Sequence, residues 1–174
     1  MELTAYFIAH SIPSLQPTVN TSRTLPKDPK LYDWVLRRDS IGSVAIVEEI
    51  QRLVNEFRRI SKISILWRTE GEPVALAPAT ARVLYSAAQE ALSNVRLHAD
   101  ASEVMMTLAF TTEKVWLVLE DNGKARAPQK FGYGLSAVRD RVHELGGRFA
   151  AGPRQEGGFR LVVKLDKDLD LKKA

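Results

Sequence analysis

A glutamate and an asparagine four residues apart, in Gln89-Glu90-Ala91-Leu92-Ser93-Asn94, have the types and spacing to do chemistry. Such an acid and amide can hold a metal and polarise a water or a hydroxyl group. Further on, Asp121-Asn122-Gly123 follows a strand pattern, and a carboxylate placed there can read an adenine amine. Gly132-Tyr133-Gly134-Leu135 opens a helical pattern, where a glycine pair lets phosphates approach the backbone N–H groups. In this order the three segments describe a nucleotide pocket.

Elements of regular structure must bring these residues together. Pro78 suits the first turn of a helix, and Val83, Leu84, Ala87, Ala88, Ala91, Leu92 and Val95 form its buried stripe. At the helical angle per residue, Glu90 and Asn94 project only about 40° apart at one edge of that stripe, placed to line a cleft. Read as an isolated pair, they more often simply face solvent, and it is the segments that follow that favour the cleft. Val104 to Phe110 and Val115 to Leu119 read as strands around a Thr111-Thr112-Glu113-Lys114 turn. Asn122-Gly123 taken alone is a hairpin signal as well. The stretch Lys124-Ala125-Arg126-Ala127-Pro128-Gln129-Lys130 has no strand alternation, however, and fits a basic, flexible lid better than a second hairpin arm. After it, Leu135, Val138, Val142 and Leu145 repeat with helical spacing until Gly146-Gly147 stops them. A Gly-x-Gly pair there also serves as a plain turn.

Upstream, residues 10–30 carry Pro13, Pro17, Pro26 and Pro29 and read as a linker. A helical pattern runs from Tyr32 to about Lys62, with Ile46, Ile50, Leu53, Val54 and Phe57 on one face and a break at Gly42. Ile63 to Thr69 reads as a strand followed by a turn through Pro73. Gly147 to Ala151 and Phe159 to Leu165 make a closing strand pair across Gly157-Gly158. The chain divides into residues 1–30, an irregular segment; 31–62, helical; 63–166, the nucleotide-binding unit; and 167–174, a charged tail. With 174 residues, 45% of them apolar, it is long enough to bury one real core.

Composition excludes several classes of protein. Cysteine is absent, which removes disulfide frameworks, thiolate metal sites and cysteine nucleophiles. The net charge of +4 is spread without a long basic run and gives little support for a nucleic-acid surface. The opening residues lack a basic, apolar signal-peptide pattern, no segment is long enough to span a membrane, and the chain reads as cytoplasmic.

Taken jointly, the blocks from about Asp39 to Leu165 resemble the ATP-binding catalytic domain of sensor histidine kinases, in the superfamily that also holds gyrase. The match is strongest to the nitrate-sensor and degradation-enzyme-sensor subgroup. Its helices typically read Gln-Glu-Ala-Leu-x-Asn, found here from Gln89 to Asn94. They also carry Gly-x-Gly-Leu with a basic helix ending in Leu-Gly-Gly, found here from Gly132 to Gly147. The resemblance implies an α+β fold of Bergerat type, a two-layer sandwich whose mixed, mostly antiparallel sheet is covered by helices on one face. It implies ATP and Mg²⁺ as ligands. Glu90 would orient or deprotonate the attacking group, Asn94 would ligate the Mg²⁺ that bridges the phosphates, and His98 would lie beside them. Asp121 would accept from the adenine amine, with Gly123 and Ala125 next to the base. Gly132 and Gly134 would hinge the lid and present N–H groups to the phosphates, with Tyr133 and Leu135 in the same segment.

Four departures from the family pattern stand out. Ala125 replaces a glycine and narrows the adenine side. Leu97 replaces a basic residue, with Arg96 one place earlier. Phe159 replaces a threonine near the adenine. Only His10, His98 and His143 are present, and none has the phosphoacceptor context; Pro13 also argues against a long helix around His10. The expected function is therefore phosphoryl transfer from Mg-ATP to a histidine on another segment or chain. A histidine-bearing dimerisation domain would be the direct partner and a response regulator the indirect one. The alternatives are a degenerate nucleotide-binding regulatory module docking on an intact kinase, and a stand-alone anti-sigma-factor serine kinase.

Overall fold

A computed structural model describes residues 46–125 and 131–167. The expected linker, the first part of the helical segment with its break at Gly42, lid residues 126–130 and tail residues 168–174 lie outside the described residues.

Eight elements and one π turn follow in order: α1 (Ile46–Ile60), β1 (Ser64–Glu70), α2 (Pro78–Asn94), the π turn (Val95–Ala99), β2 (Glu103–Phe110), β3 (Lys114–Asp121), α3 (Tyr133–Glu144), β4 (Arg148–Pro153) and β5 (Phe159–Asp166). The strands form one sheet in the order β1-β2-β3-β5-β4. β1 runs parallel to β2, and the other three pairings are antiparallel. The expected mixed, mostly antiparallel sheet is thus observed. The hairpin around Thr111 forms because Val115 pairs with Phe110 while the Thr111 hydroxyl and the Lys114 backbone exchange hydrogen bonds of 3.1 Å across the turn.

Strand alternation decides which face meets the helices. Val104, Met106 and Leu108 on β2, Leu117 and Leu119 on β3, and Leu161 and Val163 on β5 are all buried in one cluster. The same cluster takes Leu84, Ala87, Ala88, Ala91 and Leu92 from α2, and Leu135, Val138 and Val142 from α3. Ile46, Ile50, Val54 and Phe57 of α1 also belong to it, so this helix packs as part of the same core. Leu84, Leu117 and Leu161 are each 0% exposed, and cutting one to alanine in such a core costs about 2–5 kcal/mol. This packing holds the far end of α2, the end of β3 and the start of α3 in place.

Candidate functional site

α2 is built to be rigid up to the point where chemistry is expected. Pro78 occupies its first turn, where its missing N–H has no intrahelical partner to lose, and alanines with Val83, Leu84 and Leu92 make up most of the buried stripe. Glu90 and Asn94 emerge half-buried at the edge of that stripe, as their spacing predicts. The Asn94 side-chain Nδ2 donates to Glu90 Oε1 at 3.3 Å, which turns the Asn94 carbonyl oxygen away from the carboxylate. Gly134 in the first turn of α3 lies against the same Glu90; a Cβ added there would overlap the Glu90 carboxyl group. The acid, the amide and one of the two expected glycines are therefore neighbours.

The N-terminus of α3 stays open. Gly132 is its N-cap and no side chain caps it, so first-turn N–H groups keep their capacity to donate. Just before it, Phe131 meets Phe149 of β4 edge-to-face with ring centroids 5.8 Å apart, which ties the approach to α3 onto the sheet. Tyr133 is 88% exposed, whereas Leu135 is buried in the core and anchors the helix.

After Asn94 the helix widens into the π turn, a feature the spacing of apolar residues does not announce. Such turns are concentrated at functional sites. Arg96, Leu97 and His98 all lie on its exposed side, and Asp100 ends it in the left-handed conformation at φ 50°. Its last carbonyl, from Ala99, accepts the Lys124 N–H at 2.9 Å, and a Cβ on Gly123 would overlap that same carbonyl oxygen. The π turn thus joins the Glu90 end of the site to the loop after β3.

Asp121, 2% exposed, is the last residue of β3. Its Oδ1 accepts from the Gly123 N–H at 2.7 Å and from the Phe159 N–H at 3.3 Å, which leaves Oδ2 to meet a ligand donor. Burial pushes its carboxyl above the usual carboxylate range, opposed by those two N–H groups and by the Arg154 charge. The Phe159 bond comes from the backbone, so it does not depend on whether the side chain is threonine or phenylalanine. That side chain packs against the core. Ala125 is partly buried two residues beyond Gly123.

Two contributors escaped sequence reasoning. Asn122, read as a turn signal, accepts through Oδ1 from the Ser102 and Glu103 N–H groups at 2.9 and 3.0 Å and donates through Nδ2 to Ser102 Oγ at 2.9 Å. It pins the start of β2 to the end of β3. Arg154 donates through Nη1 to the Asp121 carbonyl at 3.3 Å. The first had a local signal in Asn-Gly; the second is 33 residues away from its partner and had none.

The sheet order and its helices define a fold class, that of histidine kinase catalytic domains. The catalytic domain of histidine kinase ThkA superimposes with a TM-score of 0.54 at 20% identity, covering 71% of this chain and 92% of that domain. In sequence, the chain is 27% identical over 146 residues to the sensor histidine kinase LnrJ of Bacillus subtilis, covering 82% of this chain and 36% of LnrJ. It is 31% identical over 133 residues to the sensor histidine kinase LiaS of the same organism, covering 75% of this chain and 36% of LiaS. Its relatives are thus sensor histidine kinases, and the chain spans about a third of their length. No family model matches it. Among the described residues no helix is long and apolar enough to cross a membrane.

Proposed function

We propose that this chain is the ATP-binding catalytic domain of a two-component sensor histidine kinase of the nitrate-sensor and degradation-enzyme-sensor subgroup. It acts in the cytoplasm and passes the γ-phosphoryl of Mg-ATP to a histidine on another segment or chain. The observation that carries this reading is the meeting of Glu90, Asn94 and the uncapped N-terminus of α3. A buried Asp121 stands at the other end, joined to them through Ala99.

The donor set fits Mg²⁺ held mainly by the nucleotide. Asn94 offers one neutral oxygen, and among the described residues no group of three or more His, Asp or Glu side chains forms a metal cage. Mg²⁺ characteristically takes one or two protein ligands plus phosphate oxygens, and when bound it neutralises charge developing on the transferred group. Glu90, held by the Asn94 amide, orients the acceptor imidazole and takes its proton. First-turn N–H groups of α3, from Tyr133 and Gly134, donate to phosphate oxygens, with His98 and the hinge glycine Gly132 beside them. Asp121 Oδ2 accepts the adenine amine, and Gly123 and Ala125 flank the base. The partner is a histidine-bearing dimerisation domain, which then supplies a response regulator.

Calorimetry of ATP with and without Mg²⁺, on wild type, Asn94→Ala and Asp121→Ala, tests the reading. Magnesium-dependent binding lost in both variants supports it; no binding by wild type at millimolar ATP overturns it.

A further inference from the structure

Three of the contacts around Asp121 come from the β4–β5 turn, Arg154-Gln155-Glu156-Gly157-Gly158, and the first residue of β5 after it. The Arg154 N–H donates to the Gly158 carbonyl at 2.9 Å and the Gly157 N–H to the Arg154 carbonyl at 3.1 Å, so the turn is closed on itself. Gly158, at φ +82°, presses on β3 so closely that a Cβ would overlap the Asp121 carbonyl oxygen. Phe159 supplies its N–H to Oδ1, and Arg154 Nη1 donates to the Asp121 carbonyl.

Arg154 is well placed to act through charge as well. Its side chain is 29% exposed, and its second nitrogen lies 3.5 Å from Glu156, whose side chain is 86% exposed and well screened by solvent. Other charged groups on the surrounding elements have their own partners. Lys124 of the following loop pairs with Asp100 beside the π turn, Glu120 of β3 pairs with Arg160 of β5, and Glu90 of α2 is bonded by Asn94. Glu103 at the start of β2 is exposed.

We infer that Arg154 is a positioning residue for base recognition: it ties the β4–β5 turn to the Asp121 backbone and sets a fixed positive charge beside the carboxylate that receives the base. This rests on the reading that Asp121 accepts the nucleotide's amine. A fixed cation there favours the ionised, accepting form of a carboxylate that burial otherwise drives toward protonation.

The test uses the full chain with Mg²⁺ and two ligands, ATP and inorganic tripolyphosphate, which lacks the base. Arg154→Ala should weaken ATP about tenfold, more at about pH 5 than at about pH 8, and leave tripolyphosphate unchanged. Arg154→Lys, which keeps the charge, should restore the acid side of the profile. Equal losses for both ligands, or an ATP profile indifferent to Arg154→Ala, overturn the inference. A second measurement needs no nucleotide: NMR titration of the Asp121 carboxyl should move further upward in Arg154→Ala and Arg154→Gln but not in Arg154→Lys. An unmoved titration overturns the charge role even if ATP binds. If wild type binds no ATP, the adenine reading and the base-recognition role fall together, while the titration still decides whether Arg154 and Asp121 are coupled.

Discussion

The two ends of the site are built in opposite ways. At the proposed phosphate end, Glu90 and Asn94 are half-buried side chains joined by one 3.3 Å hydrogen bond, facing an uncapped helix start. At the proposed base end, Asp121 is 2% exposed and held by two backbone N–H groups, a guanidinium and a glycine pressed against its carbonyl. In the proposed reading, the groups that exchange water for a metal and moving phosphates are left adjustable. The group proposed to tell one flat ring from another is fixed in advance, since a preformed acceptor lowers the ordering cost of recognition.

Breaking the contrast at its most reactive point gives the largest effect. Glu90→Gln keeps the shape and removes the proposed base, so transfer to a separately supplied histidine hairpin should fall about 100-fold or more with ATP affinity retained. Unchanged transfer would remove Glu90 from the mechanism. Next in size is Gly158→Ala, where the new Cβ meets backbone that cannot step aside and the residue must hold φ +82°. A loss of about 1–3 kcal/mol is expected, read as a fall in denaturant midpoint. The matching change at the other end, Gly134→Ala, meets only the tip of the Glu90 side chain, which can swing away. It should therefore leave the melting temperature nearly unchanged and lower transfer about tenfold, which is the sharpest form of the comparison.

The smallest effect concerns the cost of the fixed carboxylate. Because burial raises the folded-state pKa of Asp121, protonation favours folding. That contribution is fully present below the usual carboxylate range and is lost as pH rises through the raised folded value. Asp121→Asn keeps the Oδ1 acceptor without the buried charge. It should raise the nucleotide-free melting temperature at neutral pH slightly, flatten this segment of the stability profile, and weaken ATP. A lower melting temperature at neutral pH would show that the ionised form is the stabilising one.

Much of this was legible in the residues. The stripe from Val83 to Val95 placed Glu90 and Asn94 at a cleft edge, and the fold leaves both half-buried at the rim of α2. The apolar runs of β2 and β3 predicted the hairpin, which pairs as expected. β3 runs two residues beyond its apolar run because Glu120 and Asp121 still have ladder partners, which hydropathy does not register. Asn122 was legible only as a turn former, since its three hydrogen bonds depend on Ser102 and Glu103 arriving beside it.

By itself, then, the sequence determined the elements and the residue types that can do the chemistry, because periodicity and turn residues act over a few positions of the chain. Tertiary structure alone decided the parallel placement of β1 at the sheet edge, the π turn that carries Ala99 to Gly123, the overlap-close approach of Gly134 to Glu90, and the grip of Arg154 and Gly158 on Asp121. These are contacts between segments distant along the chain, made when burial of one shared core forces it back upon itself. No local pattern encodes which atoms then meet.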